Sequence, residues 1–480
     1  MTYFDAAWAW LDDPPRLALY LGLAWLAYLF GLGLWIVLQK REPVATLSWV
    51  MSLALLPYVG FLIYFLFGPQ KIQRQRLRRG RSRSGLEQFA GPLAGNPDCV
   101  ELARLGQATT GLAPSSATAV QWLVDGHATY GALLEAIAAA RHHVHLEYYI
   151  WNPDRTGLRL RDALVERARA GVQVRLLLDA VGSGRMRRRH LQPLVDAGAE
   201  VCWFHPTRLR PFSRPWLNMR SHRKIVVVDG ATGFVGGINV TDEQDEVLYP
   251  GAYRDLHVRV DGAVVRSLQL VFVEDWVYAN GCEARVFGDA GYWPDLAHGP
   301  VGAQVLVSGP DSSWEAIHRV HVGAIHEARR RVWLVTPYFV PGEAARMALT
   351  SAALGGLDTR LLVPRWSDSK LVTLAARSYY DELLRAGVQV YEYGPRMLHT
   401  KALLVDEDLC VVGSANFDHR SFRLNFEVSL LLRDLGSCES LAQLLEREFA
   451  RARRVRVDRP MGLWRHRLPE AFARLLSPLL

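Results

Sequence analysis

The 480-residue sequence has few cysteines and very few lysines, and both shortages restrict its chemistry. Its five cysteines are scattered without a Cys-x-x-Cys pair, so the sequence indicates neither a disulfide framework nor a zinc knuckle, and we expect reduced thiols in the cytosol. Only five of its 56 basic residues are lysines. Because half of the residues are apolar and 22% are charged, a disordered chain is excluded, and the length predicts two domains.

The formal net charge of +8 is concentrated in two short segments. Residues 71–84 hold seven basic and no acidic residues, and residues 451–480 hold eight arginines against two acids. The remainder is therefore mildly acidic, which disfavours nucleic acid as a partner. Two local basic patches instead suit contact with an anionic surface at defined places.

Residues 1–70 contain two long uncharged runs, at 17–38 and 44–67, of 22 and 24 residues. About 20 apolar residues span the hydrocarbon core of a bilayer. Five residues separate the runs, and the acidic start lacks a cleavage site, which argues against a removed signal peptide. We therefore expect a two-helix transmembrane hairpin, followed by a basic juxtamembrane linker at 71–110. The alternative is a buried core hairpin in a soluble protein.

The seven basic residues that follow the second run set the orientation of this hairpin. The positive-inside rule places the large carboxyl-terminal part in the cytoplasm. The same cluster is expected to hold anionic lipid headgroups.

The rest of the chain contains an internal repeat. Residues 136–146 match 324–334 at a constant offset of 188, and 174–178 match 359–363 at 185. Since a helix-like segment precedes a short apolar strand in each copy, we predict an α/β fold with a mainly parallel sheet in each copy. The predicted domains are residues 111–290 and 291–480.

The two copies differ in length before the region of strongest likeness. From His222 onward the offset falls to 177, so the first copy holds about a dozen extra residues, around 206–217. A surface loop is the default interpretation of this insertion. A membrane-facing or substrate-gating loop is the alternative, because aromatic rings beside arginines suit a headgroup boundary.

Each copy carries the motif His-x-Lys-x4-Asp, followed by a Gly-rich turn that ends in Asn. The two sets are His222, Lys224, Asp229 and Asn239 in the first copy, and His399, Lys401, Asp406 and Asn416 in the second. The apolar residues after each Lys predict a buried strand, on which His and Lys project to one face. We group the His, Lys and Asp of both motifs as candidate catalytic residues, although the motif Asp projects to the opposite face, which favours a structural role for Asp229 and Asp406.

Two imidazoles and two ammonium groups from related halves are typical of phosphodiester transfer. A neutral imidazole can attack phosphorus to form a phospho-enzyme, while the second protonates the leaving alcohol and then deprotonates the incoming one. The lysines, with Asn239 and Asn416, would offset the charge on the phosphoryl oxygens. This chemistry requires no metal and no cofactor, and we interpret the cluster of His142, His143 and His145 as structural.

Each catalytic imidazole needs an acceptor that fixes its tautomer. Asp255 and Glu427 follow the two Asn residues by 16 and 11 positions. We predict that these two acids orient the two histidines.

The doubled motif resembles the phospholipase D superfamily, and its bacterial cardiolipin synthase branch in particular. The stretches that carry the likeness are residues 221–243, 253–258, 336–341 and 413–427. The resemblance implies two pseudo-symmetric phospholipase D-like α/β domains that share one active site, preceded by the transmembrane hairpin. It implies transfer of a phosphatidyl group between two phosphatidylglycerol molecules, giving cardiolipin and glycerol through a phosphohistidine.

The same resemblance implies His222 as the nucleophile and His399 as the acid and base, although pseudo-symmetry makes the two interchangeable from sequence. It also implies a multi-pass protein of the bacterial cytoplasmic membrane, whose partners are phosphatidylglycerol and other membrane lipids. A homo-oligomer is left open. The alternatives are a phospholipase D-type hydrolase or nuclease with water as acceptor, and a membrane scaffold that retains a dead duplicate.

Overall fold

The computed structural model describes residues 14–38, 101–206, 219–459 and 462–477, together with the single residues Leu47, Val50, Met51 and Leu86. The amino-terminal helix belongs to one compact unit, and residues 101–206, 219–459 and 462–477 belong to another. Almost all of the second uncharged run, and the insertion after Pro206, lie outside the described residues.

The amino-terminal helix, α1, spans Pro14–Val37 and covers most of the first uncharged run. Proline is well tolerated at the first positions of a helix, where a backbone N–H has no intrahelical partner. Among the residues that the structure describes, no helix combines the length and the apolar character needed to cross a membrane. The transmembrane hairpin therefore stays a prediction.

The second unit alternates helices and strands along the chain. Its helices are α2 Glu101–Thr110, α3 Asp125–Ala139, α4 Arg155–Arg169, α5 Arg188–Asp196, α6 Val265–Asn280, α7 Ala316–Glu327, α8 Glu343–Leu354, α9 Lys370–Arg377, α10 Tyr380–Ala386, α11 His419–Arg423, α12 Leu435–Arg451 and α13 Leu468–Leu475. Its strands are β1 Ser115–Ala117, β2 Ala119–Val124, β3 His143–Tyr148, β4 Gln173–Asp179, β5 Glu200–Phe204, β6 Ile225–Val228, β7 Thr232–Gly236, β8 Leu256–Asp261, β9 Val301–Ser308, β10 Arg331–Val335, β11 Phe339–Val340, β12 Asp358–Pro364, β13 Gln389–Tyr393, β14 Ala402–Val405, β15 Leu409–Gly413, β16 Phe417–Asp418, β17 Glu427–Arg433 and β18 Ala452–Arg454.

The first half forms a seven-stranded sheet with the order β2-β8-β7-β6-β3-β4-β5. Only β3, β4 and β5 pair in parallel, whereas the other neighbours pair antiparallel. The prediction of a mainly parallel sheet is therefore wrong. Three residues connect β6 to β7, and a parallel connection needs a crossover of a dozen or more residues.

The second half repeats this order as β9-β17-β15-β14-β10-β12-β13, with β1 and β18 added at the two edges of a nine-stranded sheet. The repeat predicted from the sequence is confirmed strand by strand. One difference concerns the domain boundary, because β1 lies in the predicted first domain but pairs with β9 of the second sheet. Helix α2, predicted as linker, packs against α7 and β9.

One hydrophobic core is shared by both halves. On β6, Ile225 and Val227 belong to the cluster that also contains Val428 of the second sheet, whereas Val226 and Val228 pack with the helices of the first half. The strand after the motif is thus buried on both faces, which explains its uninterrupted apolar sequence. The same core contains Ala402 and Leu404 of β14, so the two motif strands pack against one cluster.

Candidate active site

A cavity of about 720 Å³ is lined by residues of both halves. His222 and Asn239 reach it from the first half, and His399 and Asn416 reach it from the second. A volume of this size suits a ligand rather than a single ion. The structure thus brings the two histidines and the two asparagines of the repeated motif into one cavity.

His222 is held by the acid of the other half. Its Nδ1 lies 3.0 Å from both carboxylate oxygens of Glu427, which also accepts hydrogen bonds from Ser414 Oγ and from Asn425 Nδ2 at 3.2 Å. Because a carboxylate only accepts, the ring donates through Nδ1 and presents Nε2 to the cavity.

His399 is held in the same crossed manner. Its Nδ1 lies 2.5 Å from Asp255 Oδ2. Lys401 Nζ is 2.8 Å from the same ring nitrogen and 3.8 Å from Asp255 Oδ2, and it donates to the carbonyl oxygen of His399. Since the carboxylate is the acceptor, we assign the Nδ1 hydrogen to the contact with Asp255, which again leaves Nε2 for the cavity.

Two short parallel bridges place these crossed pairs. Ser221 pairs with Phe426, and Arg254 pairs with Leu398. The residue before each motif histidine is therefore tied to the residue before the acid of the other half. The sequence singled out the two acids but not this exchange between halves, because the bridges form across the pseudo-twofold axis rather than along one strand.

The two motif lysines are buried beneath the histidines. Nζ of Lys224 donates to the carbonyl oxygen of His222 at 2.7 Å. Burial lowers the pKa of Lys224 to about 7 and that of Lys401 to about 8, although nearby carboxylates oppose both shifts. A phosphate that enters the cavity would favour the charged form of both, since an opposite charge stabilises an ammonium.

Burial also favours the neutral form of the two rings. It lowers the pKa of His222 to about 4, against the opposing effect of Glu427, and it lowers the pKa of His399 together with the nearby ammonium groups. Burial alone would raise the pKa of Asp255 and of Glu427, but the neighbouring histidines and lysines outweigh it, so both carboxyl pKa values lie below the ordinary range. The site therefore pairs neutral imidazoles with ionised acids.

The structure does not bring Asp229 and Asp406 to the cavity. Asp229 accepts hydrogen bonds from the backbone N–H groups of residues 141–143 at 2.8–2.9 Å, and Asp406 accepts from those of 329–331. Both lie in tight turns with φ values of 50° and 49°. Grouping them with the catalytic residues is corrected: they fasten the entry of β3 and β10 to the turn after the motif strand.

The two motif asparagines sit on the Gly-rich turns that border the cavity. Asn239 Oδ1 accepts from the backbone N–H of Ile150 at 3.2 Å, which leaves its amide hydrogens for a ligand. The backbone N–H of Asn416 donates to Ser421 Oγ at 3.2 Å. Amide donors at these positions can reach phosphoryl oxygens from both halves.

Several residues of the site were not identified from the sequence. The ring of Tyr149 lies 4.9 Å from that of His222, and the ring of Tyr253 lies 5.5 Å from that of His399. Ser414 was visible as the second residue of its Gly-rich turn, but its contact with Glu427 was not. The signal that could have found the tyrosines is their position directly after β3 and two residues before Asp255.

The histidine cluster of β3 lies away from the cavity. His145 Nδ1 is 3.1 Å from Gln269 Oε1, and its ring stacks on Phe272 and Tyr292 with centroids 4.5 and 5.6 Å apart. Within the ranges that the structure describes, no group of three or more His, Cys, Asp or Glu is arranged to hold a metal ion. The contacts of this cluster are those of a packed core.

Both the sequence and the fold have counterparts among known proteins. The family model described as "Cardiolipin synthase, PLD-like domain" matches residues 133–246 and 322–453, and a model described as "Phospholipase D-nuclease N-terminal" matches 23–69. The chain is 41% identical over 467 residues to a cardiolipin synthase of Geobacillus thermodenitrificans, covering 93% of this chain and 91% of the relative. It is 38% identical over 471 residues to cardiolipin synthase 2 of Bacillus anthracis, covering 94% and 90%.

A solved structure shows the same fold at much lower identity. The crystal structure of phosphatidylserine synthase from Haemophilus influenzae aligns with a TM-score of 0.59 at 15% identity. The alignment covers 79% of this chain and 100% of the other. The two proteins therefore share the fold.

Proposed function

The chain belongs to the family of cardiolipin synthases with phospholipase D-like domains, and from this membership we propose that it joins two phosphatidylglycerol molecules into cardiolipin and releases glycerol. The observation that carries the proposal is the crossed pairing of two histidines with two acids around one cavity. A double displacement at phosphorus needs two imidazoles at one reacting atom.

In the first step, Nε2 of His222 attacks the phosphorus of one phosphatidylglycerol. The P–O bond to the head glycerol breaks, and His399 as imidazolium gives its proton to the departing oxygen. Asp255 and the bound phosphate both favour the protonated ring at that moment. The product of this step is a phosphatidyl group on His222 and free glycerol.

In the second step, a headgroup hydroxyl of another phosphatidylglycerol attacks the same phosphorus. Neutral His399 takes the hydroxyl proton, the P–N bond to His222 breaks, and cardiolipin forms. His399 ends the second step with one proton, as it had when the first step began with donor bound, so the two steps together consume and release no proton.

Lys224, Lys401, Asn239 and Asn416 stabilise the phosphoryl oxygens in both steps. Their value depends on the low dielectric of the buried site, where a fixed cation interacts more strongly with developing charge than it does in water. A compact ammonium group can contact the phosphoryl oxygens in less space than a planar guanidinium needs. This explains why lysine occurs in both motifs although the chain uses arginine for most of its basic residues.

We further propose that the chain is a multi-pass protein of the bacterial cytoplasmic membrane with its catalytic domains in the cytoplasm. The amino-terminal family match over 23–69 and the two uncharged runs support this placement. Both substrates are lipids, so a site held at the bilayer surface needs no transfer of acyl chains through water.

The test is product analysis with the full chain in detergent, labelled phosphatidylglycerol and a chelator. We expect cardiolipin and glycerol in equal amounts. Formation of phosphatidic acid without cardiolipin would show a hydrolase with water as acceptor. His326→Ala, an exposed histidine outside the cavity, is the matched control for variants of His222 and His399 and is expected to keep full activity.

A further inference from the structure

The last described helix, α13, carries its polar and apolar residues on the faces opposite to those usual in a soluble protein. Its buried positions are Glu470 and Ala473, and Ser477 continues the same line just beyond the helix. Its exposed positions include Phe472 and Leu475, whose side chains are 65% and 75% accessible. A surface helix normally turns its apolar stripe toward the core.

The polar side of α13 is fixed to the protein by specific contacts. Glu470 accepts from Arg459 at 2.9–3.0 Å, and Ser477 Oγ accepts from Tyr379 at 3.0 Å. Ala473 belongs to the same core cluster as Ala376. The outward direction of Phe472 and Leu475 is therefore set by the packing of the helix and is not a frayed end.

The residues just before α13 extend the same exposed apolar surface. Leu463 and Trp464 are exposed, with Trp464 80% accessible. Arg465 and Arg467 lie between them and the helix, exposed and without an ion-pair partner among the described residues. We call Leu463, Trp464, Phe472, Leu475 and Leu476, with these two arginines, the carboxyl-terminal patch.

We propose that the carboxyl-terminal patch docks into the headgroup region of an anionic bilayer. Exposed leucine, phenylalanine and tryptophan beside arginine suit the boundary between headgroups and acyl chains. The charge agrees, because residues 451–480 hold eight arginines against two acids, and Arg465 and Arg467 of the patch are exposed and able to contact anionic headgroups. Contiguous apolar patches of this kind mark interaction sites.

The position of the patch gives the docking a purpose. Helix α13 packs on α9, and Asp368, Ser369 and Val372, at the start of α9, line the catalytic cavity. A bilayer that holds α13 therefore lies one helix away from the cavity rim. The patch would orient the site toward the lipid surface. This inference rests on the proposed function only in assuming that the substrate is a membrane lipid.

The test uses the full chain in proteoliposomes with 30 mol% anionic lipid and two matched double variants. One is Phe472→Ser with Leu475→Ser, and the control is Met347→Ser with Leu354→Ser, two exposed residues of α8. We expect the first to lose at least fivefold in rate on long-chain phosphatidylglycerol and less than twofold on a short-chain phosphatidylglycerol dissolved as monomers. The control is expected to keep both rates. Equal losses on both substrates would overturn the proposal.

A probe that does not depend on turnover separates this proposal from the proposed function. A polarity-sensitive fluorophore on Leu475→Cys should shift to shorter wavelength and be quenched by lipids with a nitroxide on the upper acyl chain, whereas one on Leu354→Cys should stay in water. The chain labelled without either substitution gives the background. If the emission of the fluorophore on residue 475 is already shifted without lipid, the patch packs on protein. If the emission is not shifted when lipid is added, the patch does not dock on the bilayer. Either result refutes the proposal.

Discussion

The two halves of the site have the same plan but hold their acids differently. Glu427 contacts His222 with both oxygens at 3.0 Å and also accepts from Ser414 and Asn425. Asp255 makes a single 2.5 Å contact with His399 and accepts from the backbone N–H of Leu256. Glu427 therefore accepts from the ring and from two further side chains, whereas the ring of His399 is the side-chain hydrogen-bond donor of Asp255, with the Lys401 ammonium 3.8 Å away.

This difference favours different tasks for the two histidines. A ring in one short contact with a carboxylate is better stabilised as an imidazolium, which is the form an acid needs, and this contact offsets part of the opposing effect of the Lys401 ammonium on His399. A ring whose acid is shared stays neutral more readily, which is the form a nucleophile needs. The contrast supports His399 as the acid and base and His222 as the nucleophile.

The largest effect is expected from removing either ring. His222→Ala and His399→Ala should each lower turnover on phosphatidylglycerol by about a thousandfold or more. A donor lipid with p-nitrophenol as its leaving group should distinguish the roles of the two histidines, since this leaving group departs without protonation by an acid. His399→Ala should still release a stoichiometric burst of p-nitrophenol, and His222→Ala should not. A burst in the second variant alone would reverse the assignment.

The acids should give a smaller loss that follows the crossed pairing. Asp255→Asn and Glu427→Gln are each expected to lower turnover by about a hundredfold, because the amide holds the wrong tautomer. Asp255→Asn should spare the p-nitrophenol burst, whereas Glu427→Gln should slow it. If each acid instead affected the step assigned to the histidine of its own half, the crossed arrangement would be wrong.

The pH dependence of kcat/KM should reflect the ionisation of both the motif lysines and the motif histidines. Lys224 is charged below its pKa of about 7 and His222 is neutral above its pKa of about 4. We therefore expect kcat/KM to rise with pH near 4 and to fall by about pH 7, because phosphate binding weakens as Lys224 loses its charge and because His399, whose pKa burial lowers, must carry a proton in the first step. Burial also raises the pKa of Asp418, in the same cavity, to about 6, so Asp418→Asn is the control and should leave the alkaline limb in place.

A pair of swaps at the Gly-rich turns should sharpen the comparison further. A side chain at Gly237 would place Cβ 2.3 Å from Asp255 Oδ1, so Gly237→Ser should displace the acid and lower turnover about a hundredfold. Ser414→Gly removes only one of several donors to Glu427 and should cost about tenfold or less. Similar losses in both variants would show that the two acids are held alike.

The smallest effect on turnover is expected at the two motif aspartates outside the cavity. Asp229→Ala leaves three backbone N–H groups without their acceptor and should destabilise the protein by about 2 kcal/mol. Asp229→Asn should destabilise less, because the amide oxygen can still accept from the N–H groups of His142 and His143 and because asparagine tolerates positive φ. The midpoint of thermal inactivation should fall while kcat at low temperature is kept; a large fall in kcat would return Asp229 to the chemistry.

Much of the architecture could be predicted from the repeat, and the failures have identifiable causes. The offsets of 188 and 177 located β3, β10, β6 and β14 because buried strands keep their apolar pattern. The sheet direction was wrong because helix–strand alternation was extended past β5. Asp229-Gly230 already indicated a tight hairpin, with φ values of 50° and 65° in the structure.

The sequence predicted which residues form the candidate site but not which acid hydrogen-bonds to which histidine. His222, His399 and their acids follow from the chemistry that each spacing allows. Which acid meets which ring depends on contacts across the two halves, and no local pattern records those contacts. The sequence shows glycine at 237 and serine at the equivalent position 414. The consequence of this difference can be understood only from the structure, which places Gly237 beside Asp255 and Ser414 in contact with Glu427.

The bridges between Ser221 and Phe426 and between Arg254 and Leu398 also constrain how such a protein could have arisen. Each half contains a histidine, but the carboxylate that orients this histidine belongs to the other half. A single-copy ancestor could therefore have worked only as a symmetric pair of identical chains. Because both halves lie in one polypeptide, the two partners need not be identical, and the surroundings of Asp255 and Glu427 differ accordingly.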